Sequence, residues 1–389
     1  MNRIIASTKR TPIYRDAGFC FKSIEHAARA FQEERTNTRS SSNFTYTRYG
    51  NPNVVETERE LARLEGSHWA VLSSSGMSAV DIALSVFHKN KKTGKWLFFS
   101  ELYGGTNEYI DKVLVQRRGI DASRYYPDKE TERFDIGNLV ELLDVLKPSL
   151  LYFEPITNPL LIVVDEEAVI QAAKERGITV IVDNTFATPN LCHPLDSGAD
   201  IVIHSATKYL SGHGNITAGV LCGNDLEILK HALLYRRLVG SILSPDDAYR
   251  LGTQIKTFNL RFQKQCENAH KLARDLVLHE AVCMVRYPSL ESHETHNEAQ
   301  KIFKGRDFGA MINFELRDGL QACEKFVEKV SNYIAFVPTL GNAESILLHV
   351  PTVFGMEKYP YPGMIRLSVG FEPYEELRDC VISALDSIS

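Results

Sequence analysis

Residues 178–214 read ITVIVDNTFATPNLCHPLDSGADIVIHSATKYLSGHG. Two apolar runs stand in this stretch, ITVIVD at 178–183 and DIVIHS at 200–205, and each ends on polar residues. Runs this short, rich in β-branched residues and without polar alternation, read as strands buried on both faces. A helical pattern, DEEAVIQAAKERG, precedes the first run at 165–177. The same rhythm extends outward in both directions. Apolar strands are predicted at WAVL (69–72), WLFFS (96–100), LLYFE (150–154) and AGVLCG (218–223), and MSAVDIALSVFH (77–88) has helical periodicity. Strands alternating with helices predict an α/β fold with a mostly parallel sheet. A ligand then belongs outside the carboxyl ends of the strands.

That rule selects a small set of residues. SSSGM at 73–77 is a strand–turn–helix junction whose free backbone N–H groups suit an anion, with Gly76 permitting close approach; a plain serine-capped turn has the same pattern. Tyr103 follows WLFFS and can stack on a flat ring or satisfy its hydroxyl in the core. Asp183 ends the most apolar strand, where a carboxylate needs a partner or a cation. Ser205, Thr207 and Lys208 follow the next strand; if the chain stays extended, the two hydroxyls point one way and the amine the other. Hydroxyls so placed can hold a phosphate, while a desolvated lysine can act as a Schiff-base nucleophile. Arg366, in the apolar run MIRLSVGFEP, needs an anion, either an internal carboxylate or that of a substrate.

The remainder of the chain bounds these readings. With 389 residues, a second domain is expected. The boundaries predicted are an N-terminal arm over 1–45, a ligand-binding domain over 46–240 and a smaller C-terminal α+β domain over 241–389. The arm contains the helix-like SIEHAARAFQEE (23–34), and VVETERELARLE (54–65) reads as a helix stopped by Gly66. Residues 244–279 read as one long helical region. A net charge of −5 gives no bulk argument for nucleic acid or a membrane surface, and no apolar run is long enough to span a bilayer. The opening residues lack a signal-peptide core, so the protein is expected in the cytoplasm. Seven scattered cysteines without a CxxC suggest neither a disulfide framework nor zinc. KNKKTGK (89–95) lacks the first glycine of a P-loop, GHGNITAG (212–219) has the wrong spacing for a dinucleotide fingerprint, and His293 and His296 in ESHETHNE read as a solvated loop.

Taken together and in order, YTRYGNP, SSSGMSAV, YGGT, VDNTFATP, HSATKYLSGHG with TAG, LGNAES and IRLSVG resemble the Cys/Met-metabolism group of pyridoxal-phosphate enzymes. That group includes cystathionine γ-synthase, cystathionine γ-lyase, methionine γ-lyase and O-acetylhomoserine sulfhydrylase. The resemblance runs from about residue 12 to 380 and implies fold type I, pyridoxal 5'-phosphate as cofactor, no metal, and a homotetramer of two tight dimers. It implies that Lys208 is the Schiff-base lysine, that Asp183 pairs with the pyridine nitrogen and that Tyr103 stacks on the ring. Ser75, Gly76, Met77, Ser205 and Thr207 would hold the phosphate, with Tyr46 and Arg48 reaching the phosphate of the neighbouring subunit. Arg366 would anchor the substrate carboxylate beside Asn158, with Thr339, Glu344 and Tyr46 also at the substrate. The activity implied first is γ-replacement on an O-acyl-homoserine by a thiol or other nucleophile. The alternatives are a cystathionine γ-lyase-type elimination giving 2-oxobutanoate and ammonia, a biosynthetic enzyme with a non-standard γ-substrate, and a non-catalytic cofactor-binding protein.

This sequence departs from the group's pattern at several points. Methionine γ-lyases usually carry a cysteine where Gly105 stands. Thr339 replaces the usual serine before LG, and EPITNP (154–159) places its proline one residue early. TVFGMEKYPYPG (352–363) replaces the usual Met-Thr-His stretch and longer loop before the arginine, which implies a changed substrate entrance.

Overall fold

A computed structural model describes residues 9–36, 43–88, 94–305 and 307–388. Parts of the N-terminal arm (1–8 and 37–42) and most of KNKKTGK (89–93) lie outside the described residues. The large sheet contains β1 (Trp69–Ser73), β2 (Trp96–Phe99), β3 (Ala122–Tyr125), β4 (Leu150–Phe153), β5 (Thr179–Asp183), β6 (Ile201–His204) and β7 (Gly219–Gly223). Their order is β1-β7-β6-β5-β4-β2-β3. Strands β3, β2, β4, β5 and β6 run parallel, whereas β7 is antiparallel to both of its neighbours, β6 and β1. Because β7 reverses between them, β1 points the same way as β6. The carboxyl ends of β1, β2, β4, β5 and β6 therefore open onto one edge of the sheet.

The strands predicted from apolar runs are present, but AGVLCG is the reversed strand. Strand β3 escapes a hydrophobicity reading because its sequence is ASRY; Arg124 covers Phe98 and pairs with Asp111 at 2.9 Å. Gly66 stops the helix Pro52–Glu65 in the left-handed conformation that favours glycine.

A second sheet contains β8 (Val282–Arg286), β9 (Met311–Leu316), β10 (Ala335–Phe336), β11 (Ile346–His349) and β12 (Met364–Ser368), in the order β10-β11-β12-β9-β8. One face packs on the helices Phe258–Val277, Gly319–Val330 and Tyr374–Asp386 through Leu272, Phe314, Phe326, Ile365, Leu367 and Leu377. Alternation along β12 then turns Arg366 to the opposite face, beside Leu348 and Asn313. The single long helix expected at 244–279 is two helices, Pro245–Gln254 and Phe258–Val277, joined by a short 3₁₀ turn. His293 is buried against Thr295, not solvated. No helix among the described residues is long and apolar enough to cross a membrane.

Candidate active site

The edge where the ends of β1, β2, β4, β5 and β6 meet carries a cavity of about 350 Å³, covered by residues from Pro338 to Arg366. It is lined by Ser75, Gly76, Met77, Tyr103, Asn158, Asp183, Ser205, Thr207, Lys208 and Arg366, all singled out from the sequence. It is also lined by Glu154, Thr185, Phe186, Pro338, Leu340, Leu348, Val353 and Phe354.

After β1, Ser75 caps the helix Gly76–Phe87, accepting from Ser78 N at 3.0 Å, so the first free N–H groups of a three-turn helix face the cavity. The backbones crowd here. A Cβ on Gly76 would lie 2.8 Å from Cβ of Ser205, and one on Gly219 would lie 2.0 Å from the Ser75 carbonyl. Only glycine permits β1, β6 and β7 to close this cradle.

After β2, the Tyr103 backbone N–H donates to Glu154 Oε1 at 2.7 Å, which fixes the start of the following helix. Tyr103 itself is 48% exposed, with its ring leaning over Gly105; a Cβ on Gly105 would meet it at 2.6 Å.

Asp183 ends β5. It accepts from Thr185 N at 3.1 Å and Thr185 Oγ1 at 2.5 Å, and from Tyr152 Oη at 3.3 Å. Burial raises its pKa against the pull of the Thr185 bonds, and burial together with the nearby Asp183 charge raises that of Glu154 well above the usual range. Neither carboxylate forms an ion pair among the described residues. The serine–turn–lysine segment departs from the extended reading. The chain turns directly after His204, with Lys208 N donating to Ser205 O at 3.1 Å. The turn, rather than strand alternation, brings Ser205, Thr207 and Lys208 to the same cavity. The Thr207 hydroxyl both donates to Ala218 O at 3.2 Å and accepts from Ala218 N at 3.0 Å, locking the turn to the start of β7.

Lys208 Nζ donates to Thr339 Oγ1 at 2.9 Å. Burial first, and then the Arg366 charge, lower its pKa to about 8. The buried Arg366 donates to Asn158 Oδ1 at 2.8 Å and to the Thr339 carbonyl at 3.2 Å, and burial lowers its pKa to about 10. Thr339 thus acts from just behind the cavity wall. Three other expected residues are not brought to this cavity. Glu344 is exposed and does not line it. Tyr46 is exposed, and Arg48 packs over Tyr49 at 4.9 Å and donates to Arg237 O at 2.8 Å. Their part at a neighbouring copy's site is a proposal.

These features fit pyridoxal phosphate. The glycine cradle beside Ser205 matches a phosphate, the buried Asp183, without an ion pair among the described residues, matches a protonated ring nitrogen, and a low-pKa amine matches an aldehyde. Thr185 was missed by sequence reading, although its position two residues after a carboxylate is the pattern of an Asx turn.

Comparison with known proteins gives the same direction. A profile of the family described as Cys/Met metabolism PLP-dependent enzyme matches residues 3–386. L-methionine gamma-lyase of Porphyromonas gingivalis is 34% identical over 394 residues, covering 97% of this chain and 92% of that protein. Cystathionine beta-lyase of Lactococcus lactis is 36% identical over 354 residues, covering 88% of each chain. Among solved structures, metB from Corynebacterium glutamicum superposes with a TM-score of 0.85 at 30% identity, covering 98% of this chain and 94% of that one. Cystathionine gamma synthase from Xanthomonas oryzae, in complex with cystathionine, gives a TM-score of 0.84 at 29% identity, covering 97% and 92%.

Proposed function

The chain belongs to the Cys/Met metabolism PLP-dependent enzymes, and we propose that it removes the γ-substituent of an activated homoserine-type amino acid and replaces it with a thiol or other nucleophile. The observation that carries this reading is the sharing of Thr339 by Lys208 and Arg366. An amino acid anchored at Arg366 by its carboxylate presents Cα to the Lys208 amine.

Pyridoxal phosphate, when bound, supplies an aldehyde that captures the substrate amine and a ring that accepts electrons from Cα. Ser75, Gly76, Met77, Ser205 and Thr207 would hold its phosphate, Asp183 its ring nitrogen, Tyr103 its ring face and Lys208 its aldehyde. The residues of the chain do the rest. Arg366, kept in place by Asn158, orients the carboxylate in a planar, bidentate pair. Lys208, with a pKa near 8, has a sizeable free-base fraction close to neutral pH and can move protons at Cα and Cβ. Asp183 keeps a proton on the ring nitrogen. Tyr103 carries a half-exposed phenol on the cavity lining, and that phenol can give a proton to the departing γ-group or take one from the incoming nucleophile.

The named relatives that are lyases favour a second reading, elimination without replacement, on the same residues. Incubation of the holoenzyme with O-acetylhomoserine separates the two. Replacement gives a thioether only when thiol is added. Elimination consumes water and gives acetate, 2-oxobutanoate and ammonia without it.

A further inference from the structure

Residues 350–363, where the sequence departs most from its family, form a pinned roof over the substrate side of the cavity. At its base, His349 Nε2 donates to Pro362 O at 2.9 Å and Nδ1 accepts from Thr352 Oγ1 at 2.7 Å, so one imidazole ties both ends of the segment together. At its tip, Tyr359 Oη donates to the buried Glu101 at 2.8 Å and Tyr361 Oη to Glu132 at 2.8 Å, and Glu132 also pairs with Arg286. The first pair joins residues 258 positions apart and fastens the roof to the large sheet. Inside this frame the short helix Val350–Phe354 delivers Val353 and Phe354 to the cavity. The Phe354 ring stands edge-on to Tyr359, centroids 6.0 Å apart at 82°, and the Arg366 guanidinium lies 5.8 Å from its centroid. Phe354 therefore flanks the space where the side chain of a carboxylate-anchored amino acid must run.

Pro338, Leu340, Leu348, Val353 and Phe354 form an apolar part of the cavity wall, with Leu348 opposite Arg366 in the sheet and Phe354 beside its guanidinium. The charged side chains that this chain brings to the cavity are Glu154, Asp183, Lys208 and Arg366; the proposed reading commits Asp183 and Lys208 to the cofactor and Arg366 to the substrate's own carboxylate, and Glu154 accepts from the Tyr103 backbone N–H at 2.7 Å. A distal ammonium and carboxylate pressed against this apolar wall would lose their water and find no charged side chain on it.

We propose that Phe354, aimed by Tyr359, is the specificity-determining wall of this site, admitting amino acids with an uncharged γ-substituent and turning away those whose γ-substituent ends in a second amino and carboxylate group. This rests on the reading of the site as one for γ-substituted amino acids. Tyr359 acts as a positioning residue through the ring of Phe354.

The test compares the holoenzyme on O-acetylhomoserine and methionine with the same enzyme on cystathionine. In parallel, calorimetry measures binding of two unreactive probes, norleucine and diaminopimelate. The wild type should prefer the uncharged substrates by at least about a hundredfold in kcat/KM and should bind norleucine more tightly than diaminopimelate. Phe354→Ala should narrow both preferences at least about tenfold through KM, with cofactor absorbance unchanged. Phe354→Leu should keep the preference, and Tyr359→Phe should narrow it less than Phe354→Ala does. If none of the substrates turns over but norleucine still binds more tightly, the proposed reaction fails and the wall stands. Cystathionine used as well as the uncharged substrates, or preferences unmoved by Phe354→Ala, would overturn the proposal.

Discussion

Thr339 touches both cationic ends of the site. Its hydroxyl accepts from Lys208 at 2.9 Å while its carbonyl accepts from Arg366 at 3.2 Å. The side chain and the backbone of one residue thus set the spacing between the amine and the carboxylate anchor. Thr339→Val keeps the shape and the carbonyl but removes the hydroxyl acceptor. A hydrogen bond to a charged group contributes about 1.5–3 kcal/mol, so kcat should fall about tenfold or more. KM for the amino acid should change little, because the Arg366 contact is made by the backbone. Steady-state kinetics check this split.

The Lys208 amine has its pKa lowered to about 8 by burial and by Arg366. Below that pH the amine is protonated and cannot attack an aldehyde; above it the free base is available. Covalent capture of pyridoxal phosphate by the cofactor-free protein should therefore accelerate with rising pH, with its midpoint near 8 and not near the ordinary lysine value of 10.5. Stopped-flow absorbance across a pH series measures it. Arg366→Gln, which removes the neighbouring positive charge, should move the midpoint upward.

Glycine requirements in the cradle are steric and local. Gly219→Ala places a methyl 2.0 Å from the Ser75 carbonyl, and Gly76→Ala places one 2.8 Å from Ser205 Cβ. Overpacking of this kind costs about 1–3 kcal/mol or more. Both variants should melt earlier and bind the cofactor more weakly, with Gly219→Ala the worse because it meets rigid backbone. Gly104→Ala is the control, since nothing lies within 4 Å of its Cβ, and thermal denaturation with and without cofactor should find it close to wild type.

The strands that end at the site were legible because strands covered on both faces carry unbroken apolar runs, and ITVIVD and DIVIHS do. The polar residues at their ends could be assigned to a cavity for the same reason. Local turns were less legible. The extended reading of Ser205–Lys208 failed because the bond from Lys208 N to Ser205 O and the Thr207–Ala218 pair fold the segment. The roof was visible only as an anomaly of sequence. Its geometry comes from Tyr359–Glu101 and Tyr361–Glu132, contacts between distant segments that no periodicity encodes. Glu344, named as a substrate residue by resemblance alone, is exposed and does not line the cavity of this chain.

Lys208 is the residue proposed to hold the cofactor. Reduction of the holoenzyme with borohydride, followed by peptide mass mapping, tests it directly. The predicted result is a single pyridoxyl adduct on Lys208, absent from Lys208→Ala. An adduct on a different lysine, or an unmodified Lys208 in a protein that retains its visible absorbance, would contradict the account.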